Sequence, residues 1–167
     1  MSAAEIAKMT NGHRPTVLIV DDEELVTKSL RNLFQLQSDY KIVTHTSPSK
    51  ALSALDSLTV DLVISDYLMP ELDGITFLSK LREIQPQTIR VLLTGYADKE
   101  NAIRAINTVG LYQYIEKPWD NEKLLVVVRN GLEKRALVRA LEDKIAELDK
   151  AHLNLKSIQT ELIKAFM

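Results

Sequence analysis

The feature that most constrains this chain is an alternation of short apolar runs with amphipathic stretches, repeated five times between Pro15 and about Leu132. Thr16–Val20 is wholly apolar or β-branched, as a strand buried on both faces requires. Glu24–Leu36 follows, with Leu25, Leu30, Leu33 and Phe34 at helical spacing. Lys41–Thr44 reads as a short strand nearer an edge. Ser47-Pro48 then supplies an N-cap and first helical residue for a helix carrying Ala51, Leu52 and Leu55. Leu62–Ser65 is a central strand, and Ile75–Ile84 a helix ended by Gln85-Pro86. Arg90–Leu93, Lys99–Asn107 and Gln113–Glu116 read as strand, helix and strand. The last helix opens at Trp119-Asp120, with Asp120 as its cap. Such alternation predicts an α/β fold: a doubly wound parallel sheet of five strands, with helices on both faces and right-handed crossovers.

Four of the apolar runs end on a chemically useful side chain. Val17–Val20 runs into Asp21-Asp22, Leu62–Ser65 into Asp66, Val91–Leu93 into Thr94-Gly95, and Tyr114–Glu116 into Lys117-Pro118. In an open α/β sheet the ligand site lies outside the carboxyl ends of the strands, so these residues should meet. Three converging carboxylates repel one another unless a cation neutralises them. An all-oxygen, water-accessible set suits Mg²⁺, with Mn²⁺ as a substitute. The ammonium of Lys117 would face the carboxylates and pair with a phosphoryl oxygen. Thr94 would donate to the same group, and Gly95 would let its backbone amide approach closely. Taken singly, Asp21-Asp22 could merely cap the following helix, Lys117 could snorkel and Thr94 could be an ordinary strand-end hydroxyl. Their joint placement argues for one site.

Composition excludes several other chemistries. Cysteine is absent, which rules out disulfides and thiolate sites. His13, His45 and His152 are far apart and have no metal-ligand spacing. A net charge of −2 and no basic face give no indication of nucleic-acid binding. No apolar stretch approaches the roughly 20 residues of a membrane span, and residues 1–14 lack the apolar core of a signal peptide. The expectation is a cytoplasmic protein with a frayed tail over residues 1–14 and no membrane association.

The C-terminal segment has its own pattern. No proline occurs from Asn121 to Met167, and Gly131 alone interrupts the helix formers. A domain spanning residues 15–134 would need this helix only to about Leu132–Leu137. Beyond it Leu141, Leu148, Leu155 and Leu162 recur every seven residues, with Val138, Ile145, His152 and Gln159 in the complementary position. Residues 135–167 are therefore expected to form a parallel homodimeric coiled coil, with Lys144 and Asp149 pairing between helices. The chain stops mid-heptad, and the expectation is a segment cut before an effector domain.

With the acidic pair Asp21-Asp22, Asp66, the Met69-Pro70 and Asp73-Gly74 loop, Thr94 and Lys117-Pro118 in this order, the chain resembles the receiver domain of two-component response regulators. The resemblance covers about Pro15 to Leu132, and its motifs are specific in combination. It implies a flavodoxin-like sheet of order 2-1-3-4-5. It implies that Asp66 accepts a phosphoryl group from the phosphohistidine of a histidine kinase or phosphotransfer protein. Mg²⁺ would be bound by Asp22, Asp66 and the Leu68 backbone carbonyl, with Asp21 acting through water. Thr94 and Lys117 would contact the phosphoryl oxygens, and Tyr114 would take the place of the family's rotating aromatic switch. Leu68 and Tyr96 flank the approach of the hydrolytic water in the family, and their apolar bulk predicts a long-lived aspartyl phosphate.

Three classes of output follow. The receiver could serve an enzymatic effector such as a cyclic-dinucleotide synthase or hydrolase, for which the Tyr114–Asp120 stretch is a weak cue. It could be a stand-alone module whose helix binds a partner, or part of a DNA-binding regulator, against which the long linker weighs.

Overall fold

The computed structural model of the protein describes residues 4, 5, 8 and 11–166, with Tyr96 described in its backbone only. Strands β1 (Thr16–Val20), β2 (Lys41–His45), β3 (Leu62–Asp66), β4 (Ile89–Thr94) and β5 (Gln113–Glu116) form one parallel sheet of order β2-β1-β3-β4-β5. The connecting helices are α1 (Glu24–Gln37), α2 (Pro48–Ala54), α3 (Gly74–Ile84), α4 (Lys99–Thr108) and α5 (Asn121–Phe166), with a single 3-10 turn at Tyr96–Asp98 before α4. The expected fold class, strand order and element sequence all stand. β4 runs one residue further at each end than its apolar run suggests, because Thr88 and Gly95 rather than Ile89 and Thr94 leave the ladder.

Strand alternation divides the core into two layers. Leu18, Val20, Val63 and Leu92 point to the side covered by Ala51 of α2, Phe77, Leu78 and Leu81 of α3, and Ala102 and Ala105 of α4. Val17, Ile19, Leu62, Ile64, Val91 and Leu93 point to the other, under Leu30 and Phe34 of α1 and Leu124, Val128 and Leu132 of α5. Each fully buried Leu or Phe contributes about 1.5–3 kcal/mol relative to exposure. That explains why β1, β3 and β4 are continuous apolar runs: both of their faces are covered.

Local chemistry fixes where the helices begin. Ser47 Oγ accepts the Lys50 amide at 3.3 Å, with Pro48 in the first turn of α2. Asp73 accepts the Thr76 amide at 2.8 Å at the start of α3, and Asp120 accepts the Lys123 amide at 3.0 Å at the start of α5. At Gly131 α5 lies close against the sheet: a Cβ there would stand 3.0 Å from methyl groups of Ile89 and Leu62.

α5 is one helix from Asn121 to Phe166, and its contact with the body continues past residue 134. Ala136 is buried. Arg139 Nη2 lies 3.0 Å from Asp61 Oδ1, beside the N-terminal end of β3. The other oxygen of Asp61 accepts the Thr16 amide at 2.8 Å and lies 2.9 Å from His13 Nε2. Thus the last residues before β1 and the helix after the core share one buried carboxylate. Beyond Arg139 the helix is free: Leu141, Ile145, Leu148, His152, Leu155, Gln159 and Leu162 are all exposed, while Val138 is half-buried against the body.

Candidate functional site

The carboxyl ends of β1, β3, β4 and β5 lie side by side, and their terminal side chains meet as their positions predict. Asp21, fully buried after β1, accepts the Glu23 amide on Oδ1 at 2.9 Å. Its Oδ2 accepts from Lys117 Nζ at 3.1 Å. The same ammonium lies 3.0 Å from Asp66 Oδ1, which also accepts the Tyr67 amide at 2.9 Å. Asp22 is exposed, and carboxylate oxygens of Asp21, Asp22 and Asp66 fall within 4.8 Å of one another. One ammonium thus bridges two of three clustered carboxylates.

The electrostatics follow from burial. Desolvation holds the Asp66 carboxyl above its ordinary pKa, and the neighbouring Asp21 charge adds to this. The hydrogen bond and charge of Lys117 and the Tyr67 amide oppose it without cancelling it. For Lys117, burial works to lower the pKa, but hydrogen bonds and charge from Asp66 and Asp21 outweigh it and hold the ammonium above the usual lysine value. The lysine therefore stays charged.

Backbone geometry supports these positions. The Lys117–Pro118 peptide is cis. The Lys117 amide donates to Thr94 O at 2.8 Å, tying the end of β5 to that of β4. Thr94 is buried and its hydroxyl donates to Gly95 O at 2.9 Å. It follows Leu93, the register partner of Asp66. Gly74 opens α3 directly under the site: its amide donates to Tyr67 O at 2.7 Å, and a Cβ would fall 2.1 Å from the Asp66 carbonyl oxygen. A side chain cannot fit there, which explains the Asp73-Gly74 pair.

The remaining expected residues stand further out. Leu68 is 63% exposed at the rim. Tyr114 is half-buried on β5 and packs against the layer containing Leu92. The side chain of Tyr96 lies outside the described residues. Two contacts were not anticipated from the sequence. Glu71, in the loop after Asp66, accepts from Ser47 Oγ at 2.8 Å and from Ser49 Oγ, binding that loop to the start of α2. These hydroxyl bonds, led by Ser49, hold the Glu71 carboxyl below its usual range. The second is the meeting of Asp61 with Arg139 and His13.

The family model of the response regulator receiver domain matches residues 17–129. The chain belongs to the response regulator receiver family. This receiver is 37% identical over 122 residues to the hydrogenase transcriptional regulatory protein HoxA of Cupriavidus necator, covering 73% of this chain and 25% of that one. It is 33% identical over 127 residues to the regulatory protein AtoC of Escherichia coli, covering 75% and 27%. Among solved structures, it resembles the signal receiver domain of an HD domain-containing protein from Pseudomonas fluorescens Pf-5. That match has 37% identity, covers 74% of this chain and 98% of the other, and has a TM-score of 0.69. The receiver spans about a quarter of the length of the curated relatives it matches. Its place is in phosphorelay signalling, where a receiver takes its input from a histidine kinase or another phosphodonor.

Proposed function

We propose that Asp66 is the phosphoacceptor and that the phosphoryl group comes from the phosphohistidine of a histidine kinase or phosphotransfer protein. A carboxylate oxygen of Asp66 attacks phosphorus, the P–N bond to the donor imidazole breaks, and its electron pair returns to the imidazole nitrogen. The product is an acyl phosphate. Lys117, already within hydrogen-bond reach of Asp66, pairs with an oxygen of the transferred group, and the Thr94 hydroxyl turns from Gly95 O to donate to another. The acidic cluster fits a divalent cation: its donors are all oxygen, and Lys117 is the sole cation hydrogen-bonded to it among the described residues. Asp22 and Asp66, with the Leu68 carbonyl and Asp21 through water, would hold Mg²⁺ or Mn²⁺, which supplies positive charge against the transferred oxygens.

The single observation that carries this reading is Asp66 itself. It is 7% exposed at the end of a central strand, with its pKa raised by burial and an ammonium 3.0 Å away. Incubation with a small-molecule phosphodonor and Mg²⁺ should add one phosphoryl mass, labile to hydroxylamine, and Asp66→Asn should abolish it. Labelling that survives in the variant overturns the assignment.

The change at Thr94 passes to Tyr114, which rotates inward into the space Thr94 vacates, and then to the face of α4, β5 and α5. Residues 15–134 act as the receiver and residues 135–167 as a parallel dimerising helix that carries the state to an effector. No described helix is long and apolar enough to cross a membrane, and a cytoplasmic location accords with a phosphorelay partner. For the effector, a second reading gains from the comparisons: HoxA and AtoC are regulatory proteins, the former by its name transcriptional. A transcriptional output therefore stands beside an enzymatic one.

A further inference from the structure

At the opposite end of the sheet from Asp66, where α5 leaves the body, lies an open cavity of about 280 Å³. Its walls come from the turn before β4, the turn before β5 and the α5 segment around Lys134 and Arg135. We propose that this cavity binds a small phosphorylated molecule, with the phosphate between Lys134 and Arg135 and the organic part against Tyr112 and Val138.

Charge is the first argument. Arg90, Lys134 and Arg135 line the cavity, and among the described residues no aspartate or glutamate does. Arg90 is buried and fixed: its Nε donates to Gly110 O at 3.2 Å, and its Nη1 donates to Pro86 O at 3.1 Å and Thr88 O at 2.9 Å. It forms a permanent positive wall. Arg82 adds another guanidinium beside Gly110. Of the two acids whose charge reaches Arg135, Asp61 is committed to Arg139, His13 and the Thr16 amide, and Glu142 is exposed further along α5.

Arg135 supplies the second argument. Its Nε and Nη1 are buried without a hydrogen-bond partner, a state that costs stability in the absence of a ligand. Burial and the charge of Arg139 hold its pKa below the ordinary value, although Asp61 and Glu142 act the other way. An incoming oxyanion lets this side chain re-seat with its N–H groups satisfied. Lys134 is exposed, with Nζ 5.5 Å from the centre of the Tyr112 ring. It is free to tilt towards an anion while the ring provides a flat wall. The volume of about 280 Å³ falls just below the range of about 300–1,000 Å³ typical of small-organic-ligand pockets, which favours an occupant no larger than a mononucleotide over a polymer.

The test is an NMR titration of the isotopically labelled full chain, without Mg²⁺, using inorganic phosphate and adenosine monophosphate as separate probes. Saturable shifts are expected at the amides of Thr88, Gly110 and Tyr112, at the end of the sheet away from Asp66 and Thr94. Tighter binding of the nucleotide assigns the organic part to the apolar wall; equal binding assigns the site to the free anion. Lys134→Gln and Arg135→Gln should each weaken affinity about tenfold, the value of one charged hydrogen bond. Arg135→Gln should also raise the thermal midpoint of the ligand-free protein. If that variant fails to fold, exposed Lys134 still decides the matter. Absence of saturable shifts at these amides up to about 10 mM of either probe, or affinity untouched in the folded variants, overturns the site.

Discussion

Lys117 holds two carboxylates of the acidic cluster, yet burial still leaves Asp66 easier to protonate in the folded state than in an unfolded chain. The consequence has a definite sign. As pH rises from the ordinary carboxyl range near about 4 through the raised folded value, the unfolded state gives up its proton first, and folding stability is lost. Asp66→Asn should therefore raise the melting midpoint of the metal-free protein at pH 7, with the gain fading as pH falls through the raised folded value and gone below about 4. Circular dichroism melts in a chelating buffer measure it; equal midpoints at pH 7 would show that Lys117 fully offsets the burial. Leu68 carries a second prediction at this scale. Its exposed apolar side chain stands two residues from Asp66, where, on the proposed role of Asp66, it would disfavour an approaching water. Leu68→Asn should speed loss of the aspartyl phosphate several-fold in a phosphate-release assay, and an unchanged rate would remove Leu68 from control of that step.

Between residues and the whole stand the turns that deliver elements to the site, and Gly74 is the tightest of these. Because a Cβ would meet the Asp66 carbonyl oxygen at 2.1 Å, and backbone cannot yield as a side-chain tip can, Gly74→Ala should destabilise by about 2–3 kcal/mol in urea unfolding. It should also slow phosphorylation by moving the loop that carries Leu68. At the level of elements the fold was legible because buried parallel strands are written as continuous apolar runs, each ending on the side chain it presents. The site was legible for the same reason: Asp21, Asp66, Thr94 and Lys117 are strand-end positions, and the topology of a parallel sheet brings strand ends together. Asp61 was not. Its partners His13 and Arg139 lie 48 and 78 residues away, and no periodicity marks a carboxylate at the beginning of a strand as an anchor. Glu71 escaped likewise: Ser47 announced itself as a cap, but nothing local told that a loop carboxylate would join it.

For the molecule as a whole, the exposed leucines of α5 present a continuous apolar stripe that the body does not cover. Lys144 lies 3.2 Å from Glu147 on its own helix, an exposed contact worth a few tenths of a kcal/mol at most. The exposed leucines are the larger source of association energy for a pair of such helices. The full chain should run as a dimer in light scattering at micromolar concentration, and Leu148→Lys combined with Leu155→Lys should return it to monomer. A wild-type monomer would remove the coiled coil from the mechanism. The unbroken course of α5 has a mechanical consequence of its own. With no joint between the part that packs on the sheet and the part that stands clear, the helix is a lever whose fulcrum is the Asp61–Arg139 contact. Its free arm from there to Phe166 is about 40 Å long, so a tilt of about 5° among the packed residues swings the far end by roughly 3–4 Å.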